Sequence, residues 1–151
     1  MKTKIALLIL AASVSGSALA KDVKECQAVD QKQIEALFDR WNESLQTGNA
    51  QTVADNYLSD AVLLPTVSNH VRLTDAERKD YFEHFLQKKP FGKIDTRTIR
   101  IGCNKAIDAG TYTFTFKDNT SVSARYTFTY AFDGKQWLIS THHSSAMPET
   151  K

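Results

Sequence analysis

Ser121-Val-Ser-Ala-Arg-Tyr-Thr-Phe-Thr-Tyr-Ala-Phe132 alternates without a break. Successive side chains of an extended chain point to opposite sides. Val122, Ala124, Tyr126, Phe128, Tyr130 and Phe132 therefore share one face, and Ser121, Ser123, Arg125, Thr127, Thr129 and Ala131 the other. The segment before it repeats the pattern, with Tyr112, Phe114 and Phe116 set against Thr111, Thr113 and Thr115. Strands of this kind build a sheet whose aromatic face packs helices. Its threonine-rich face must meet water, a polar cavity or another subunit.

Working outward, the period of two extends from Gly92 almost to the C-terminus and predicts four strands, over residues 93–104, 110–117, 120–132 and 135–145. Asp118-Asn119 and Asp133-Gly134 supply hairpin chemistry, since these residues tolerate positive φ. Toward the N-terminus the spacing changes to three and four. Residues 30–47 read as a helix with Asp30 as N-cap, an apolar stripe of Ile34, Leu37, Phe38, Trp41 and Leu45, and a stop at Gly48; Asn42 falls on its wet face. A short helix over 49–57 offers Val53, Ala54 and Tyr57 to the core, and Ala61-Val-Leu-Leu64 before Pro65 reads as a short strand. After a loop over 66–73, the capping box Thr74-Asp-Ala-Glu77 opens a helix to about residue 88 with a buried stripe of Ala76, Tyr81, Phe82, Phe85 and Leu86. Helices followed by an antiparallel meander define an α+β layered fold.

The chain has 151 residues, 42% hydrophobic and 24% charged, with six Gly and three Pro, which describes one ordinary domain. Met1-Lys-Thr-Lys4, the apolar run Ile5-Ala-Leu-Leu-Ile-Leu-Ala-Ala12 and the ending Ala18-Leu-Ala20 read as a signal peptide over 1–20, leaving a single domain over 21–151. The apolar run is about half of the ~20 residues that cross a bilayer. The expected location is periplasmic or secreted, with no membrane contact after signal removal. Loss of Lys2 and Lys4 takes Lys plus Arg from 19 to 17 against 17 Asp plus Glu. A neutral chain without a basic run argues against nucleic acid and anionic membranes as partners. Cys26 and Cys103, in an exported protein, invite a disulfide closing a long loop, worth roughly 4–5 kcal/mol in the chain-entropy model. Two separate thiols, one of them buried, are the alternative. The spacing excludes a CxxC redox pair and a zinc knuckle.

Two strings carry a resemblance. Gly48-Asn-Ala-Gln-Thr-Val-Ala-Asp-Asn-Tyr-Leu-Ser-Asp-Ala-Val-Leu-Leu-Pro-Thr66 resembles the helix-to-strand entry of SnoaL-like proteins in the nuclear transport factor 2-like superfamily. Ala124-Arg-Tyr-Thr-Phe-Thr-Tyr130 with Asp133-Gly-Lys-Gln-Trp-Leu-Ile-Ser-Thr-His-His-Ser-Ser-Ala-Met-Pro148 is similar to the end of the association domain of calcium/calmodulin-dependent kinase II and its stand-alone bacterial relatives. The match covers nearly all of 30–148. The resemblance implies a cystatin-like fold: a cone-shaped, curved antiparallel sheet wrapped around the N-terminal helices, with a pocket between them. It also implies a homodimer formed through the sheet, or a larger ring built from dimers. No kinase or calmodulin-binding segment is present. In the kinase domain, arginines on the last two strands line the pocket; two of those positions are Thr127 and Ser144 here, so the basic character does not carry over position for position.

Within that pocket, Arg125 is the candidate for an anionic or carboxylate group, because guanidinium donors suit a planar oxyanion; its alternative is a surface or interface arginine. Arg72, in the irregular loop Ser68-Asn-His-Val-Arg72, closes over the mouth or is solvated. His143 matches the family's recurrent His, and lines the pocket or makes a core hydrogen bond. Trp41 and Tyr57 supply aromatic walls while serving the core. Adjacent His142 and His143 face opposite sides of a strand, and no further ligand stands at metal spacing, so neither a metal nor a cofactor is expected. Carboxylates sit in caps, turns and wet faces, with Asp95 and Asp108 the nearest exceptions, and no Ser–His–acid triad is set up; no catalytic residue is assigned. The expected function is an exported, homodimeric SnoaL-like domain binding a small molecule, a carboxylate being the candidate group. The alternatives are an enzyme of the isomerase, hydrolase or polyketide-cyclase type, and a pure oligomerisation module.

Overall fold

The computed structural model describes residues 25–66 and 68–148; the proposed signal peptide lies outside them. Helix α1, Gln31–Gln46, is opened by a capping box in which Asp30 accepts from the Gln33 amide and the Gln33 side chain accepts from the Asp30 amide. Gly48, at φ +67°, turns the chain out of it. Ile34, Phe38, Trp41 and Leu45 are at most 2% exposed, and burial of each contributes about 1.5–3 kcal/mol. Helix α2, Ala50–Ala54, is capped by Asn49. Helix α3, Asp75–Phe85, opens on the Thr74/Glu77 box and tightens into a 3₁₀ turn, Leu86–Lys88.

Five strands form one curved sheet in the order β1-β5-β4-β3-β2: β1 Tyr57–Leu64, β2 Phe91–Gly102, β3 Lys105–Thr115, β4 Ser121–Phe132 and β5 Trp137–Ala146. Strands β2 to β5 are the antiparallel meander read from the sequence. The sheet as a whole is mixed, which corrects the all-antiparallel expectation: β1 begins at Tyr57, where a second helix was expected to end, and joins the far edge parallel to β5. Parallel pairing between segments so distant leaves no local sequence signal. Strand β3 starts earlier than expected because its first turn inverts the usual polarity, with Asp108 at 0% and Ile107 at 44% exposure.

Two irregularities bend the sheet. Asp95 is extra in the β2–β3 ladder, and there a Cβ on Gly110 would lie 1.9 Å from the Thr96 carbonyl oxygen, so only glycine admits this approach. Ser140 is extra in the β4–β5 ladder: Tyr130 pairs with Ile139 but Thr129 with Thr141. Asn42, expected on a wet face, is buried and clamps β2 to α1 by donating to the Gly92 carbonyl and accepting from the Gly92 amide, both at 2.8 Å.

Cys26 and Cys103 are joined in a disulfide that ties the segment before α1 to the β2–β3 turn. Asn104 reinforces it, accepting from the Gln27 amide at 2.7 Å and donating to the Glu25 carbonyl at 2.9 Å. On the outer face Thr113 donates to Asp95 at 2.7 Å and lies 2.9 Å from the Ser123 hydroxyl, and Thr129 and Ser140 pair at 2.7 Å. No helix among the described residues is long and apolar enough to cross a membrane.

Candidate functional site

Between the inner face of the sheet and α3 lies a cavity of about 260 Å³. Its walls are mostly aromatic: Phe82 and Phe85 from α3, Phe114 and Phe116 at the end of β3. Its inner end carries the buried Trp41, Tyr112 and His142, with the half-buried Thr66 and Ser144 beside them, and Lys88 and His84 also border it. No carboxylate belongs to the lining.

The polar atoms of the inner end form one chain of hydrogen bonds. Trp41 Nε1 donates to Tyr57 Oη at 3.0 Å, and Tyr57 Oη lies 2.9 Å from His142 Nδ1. Indole can only donate, so the phenolic hydrogen is free to go to Nδ1, and the neutral imidazole then carries its hydrogen on Nε2. That nitrogen faces Tyr112 Oη at 3.5 Å. Tyr112 in turn donates to Ser144 Oγ at 2.6 Å, and Ser144 Oγ pairs with Thr66 Oγ1. The His142 ring is stacked 4.0 Å from Phe128 and stands edge-on to Trp41 at 5.2 Å.

Burial, with the nearby His143 adding to it, pushes the His142 pKa down to about 3, so the ring is neutral at physiological pH. Burial raises Tyr57 and Tyr112 well above the ordinary phenol range, keeping both hydroxyls protonated. The count of hydrogens then decides what the cluster can do. Tyr112 uses its hydrogen on Ser144. The Ser144–Thr66 contact consumes one of the two remaining, whichever residue donates. One hydroxyl hydrogen, on the half-buried Thr66 or Ser144, is left on the lining of an apolar cavity, a donor suited to an oxygen acceptor.

A positive charge stands behind this cluster. Arg78 is wholly buried on α3, its guanidinium donating to the carbonyls of Ala61 (2.7 Å), Leu73 (3.2 Å) and Ser59 (3.1 Å) and lying 5.9 Å over the Tyr57 ring. No carboxylate pairs with it among the described residues. The expected stripe of α3 had included Ala76, which is exposed, and had omitted Arg78. Neutral hydroxyls, a neutral imidazole and an uncompensated buried cation together favour an anion over a cation.

The residues expected at the site divide. Trp41 lines the cavity, and Tyr57 stands immediately behind it, bonded to both Trp41 and His142. Arg72 lies on the outer side of Tyr81, 5.9 Å over its ring and paired with Asp80 at 2.7 Å, away from the cavity lining. Arg125 and His143 project from the opposite face of the sheet and do not reach the cavity; Arg125 Nη2 donates to the Ala146 carbonyl at 3.3 Å. This corrects their placement. For His143 the reason is the bulge: an unbroken alternation from the buried Ile139 carries Thr141 and His143 inward, whereas the extra Ser140 turns His142 and Ser144 inward. Thr66 and Tyr112 were not singled out, because single hydroxyls at a strand end and on an aromatic face have no distinguishing pattern.

Asp108, one of the two carboxylates noted near strand ends, is buried outside this cavity. Arg97 Nη2 is 3.0 Å from its Oδ2 and Tyr126 donates to its Oδ1 at 2.9 Å. Burial raises its pKa, against the opposing pull of Tyr126 and Arg97. Asp95 is exposed on the outer face. No three His, Cys, Asp or Glu side chains come together as a metal site among the described residues.

Residues 30–148 match the family described as the calcium/calmodulin dependent protein kinase II association domain. A solved structure described as a putative association domain of this kind from Xanthomonas campestris is 49% identical, covering 83% of this chain and 96% of that one, with a TM-score of 0.77. A nuclear transport factor 2-like protein of unknown function from Pseudomonas putida KT2440 is 16% identical over 80% of this chain and 88% of its own, with a TM-score of 0.70. The iota-carbonic anhydrase from a cyanobacterium, solved with bicarbonate, is 20% identical over 82% of this chain and 95% of its own, with a TM-score of 0.73. At these last two identities the likeness is one of fold. No curated protein matches the chain.

Proposed function

Because the chain belongs to the calcium/calmodulin-dependent protein kinase II association domain family, within the nuclear transport factor 2-like superfamily, we propose that its cavity receives a small carboxylate or bicarbonate-sized oxyanion at the Thr66 and Ser144 hydroxyls. The observation that carries this reading is the unspent Thr66 or Ser144 hydroxyl hydrogen in a cavity whose lining has no carboxylate. His142, fixed by Tyr57, holds Tyr112 in its donating role; Trp41 closes the wall behind them. Arg78 supplies background positive potential without touching the ligand.

The protein does this as an exported homodimer. Residues 1–20 have the pattern of a secretory signal, and the disulfide fits an oxidising compartment. Family membership is consistent with self-association, and the hydroxyl-rich outer face carrying Arg125 is the surface on which two copies would meet.

The test is a thermal shift series on the mature chain at constant ionic strength with acetate, bicarbonate and chloride. Acetate and bicarbonate are expected to stabilise the protein saturably and chloride is not, and Ser144→Ala is expected to abolish the effect. Equal shifts from all three salts would refute the site.

A second reading, reversible hydration of carbon dioxide, is favoured by the meeting of an apolar wall with an oxyanion donor in one cavity. Water oxygen would bond to the carbon as one C=O π bond opens, its electron pair going to the oxygen that accepts the free hydroxyl hydrogen bond, and the proton lost by water would pass to buffer, since His142 is too weak a base to keep it. Stopped-flow hydration measured on the mature chain and on Ser144→Ala decides this: a rate equal to buffer alone excludes it.

A further inference from the structure

The cavity is much larger than the anion its inner end would hold. Acetate or bicarbonate displaces on the order of two waters, ~60 Å³ at ~30 Å³ each, against about 260 Å³ of space. The remainder is shaped by rings in a definite arrangement. Phe114 and Phe116 lie 21° from parallel with centroids 6.5 Å apart, and both line the cavity. Phe85 stands nearly perpendicular to both, at 88° and 5.5 Å to Phe114 and at 90° and 6.5 Å to Phe116. Tyr112, whose hydroxyl belongs to the polar cluster, packs its ring 4.8 Å from Phe114.

A planar ring parallel to Phe114 is nearly perpendicular to Phe85, so it is offset-stacked on the one and edge-to-face with the other, the two geometries aromatic pairs prefer. A saturated ring or a chain obtains only area. Lys88, with Nζ 5.8 Å from the Phe116 centroid, places a cation beside the outer end of such a ring. From the size of the cavity, the right angle between Phe85 and Phe114 and the contact of Tyr112 with both Phe114 and the hydroxyl cluster, we infer that the ligand is a monocyclic aromatic carboxylate, its carboxylate at Ser144 and Thr66 and its ring lying along Phe114 and edge-on to Phe85. The inference rests on the oxyanion reading above and names its ligand class.

Isothermal titration of the mature protein at constant ionic strength with benzoate, cyclohexanecarboxylate and acetate tests it, with circular dichroism confirming that each variant is folded. Benzoate is expected to bind at least ~10-fold more tightly than acetate, about 1.4 kcal/mol, and several-fold more tightly than cyclohexanecarboxylate. Phe116→Leu is expected to bring benzoate down toward cyclohexanecarboxylate. Three equal affinities, all lost in Ser144→Ala, overturn the aromatic class while leaving the oxyanion site in place. A Phe116→Leu protein that keeps the full benzoate preference overturns the placement of the ring. Absence of binding by all three removes the oxyanion reading and this inference with it.

Discussion

Tyr57 Oη and His142 Nδ1 meet at 2.9 Å across 85 residues of sequence. The contact joins the first residue of β1 to the inward face of β5, and through Trp41 it reaches the middle of α1. The three oldest questions about a cavity, what holds it open, what makes it polar and which way its hydrogens point, are answered by the same pair. Phe128 stacked on the imidazole and Trp41 set edge-on to it leave the ring no room to turn.

His142 should therefore resist protonation. Its folded pKa, about 3, lies below the ordinary value of 6.5. Between those values the unfolded chain binds the proton and the native protein does not. The stabilising contribution of the neutral ring is complete above pH 6.5 and is lost progressively as pH falls toward 3. Nitrogen-15 NMR of the imidazole is expected to show a neutral ring with its hydrogen on Nε2 down to about pH 4. A midpoint near 6.5, or the hydrogen on Nδ1, contradicts the chain of donors drawn here.

Asp108 gives a second prediction, on stability alone. It holds Arg97 and Tyr126 under α1, with Arg97 lying 5.8 Å over the Phe38 ring. Asp108→Ala leaves a half-buried guanidinium without its carboxylate and should cost about 3–5 kcal/mol, read from urea unfolding. Asp108→Asn, which keeps an acceptor for Tyr126, should cost less. Equal stabilities of both variants and the parent would show that the pair is idle.

How far the sequence carries depends on whether a signal is local. The N-cap at Asp30, the capping box at Thr74, the aromatic face of β4 and the Asp133-Gly134 hairpin are written in adjacent residues, and they are found where expected. The parallel partner of β1 is chosen by tertiary packing and leaves no trace in period or turn chemistry. Asn42 reads as a wet-face residue, and Arg78 falls outside the apolar stripe, because side chains that satisfy backbone carbonyls or amides inside a fold are the same types that face water. Part of the site was hidden by Ser140, an ordinary residue in an apolar-polar run whose bulge exchanges His143 for His142.

The disulfide should matter more to stability than to shape. It closes a loop between residues 77 positions apart, and its loss in Cys26→Ser/Cys103→Ser should lower stability by about 2–4 kcal/mol, since native contacts of the strap temper the ideal entropy. The near-ultraviolet circular dichroism of the folded variant should be unchanged. A variant as stable as the parent would mean that Asn104 alone holds the strap.

Arg125 tests the proposed dimer. It sits exposed on the outer face, opposite Ser145 of β5 and Thr111 of β3. Light scattering after size exclusion is expected to give a dimer for the mature chain and a monomer for Arg125→Glu, with the same thermal shift by acetate expected in both. A monomeric parent, or a dimer indifferent to the substitution, places the contact elsewhere or nowhere.

The most direct measurement is an NMR titration of the mature protein with carbon-13 acetate at constant ionic strength, following Tyr112, Ser144 and the imidazole of His142. The expected result is saturable shifts confined to these groups, transfer of magnetisation from the acetate methyl to the cavity wall, and the loss of both in Ser144→Ala. Shifts that grow linearly without saturating, or that persist unchanged in Ser144→Ala, would contradict the hydroxyl cluster as an oxyanion site.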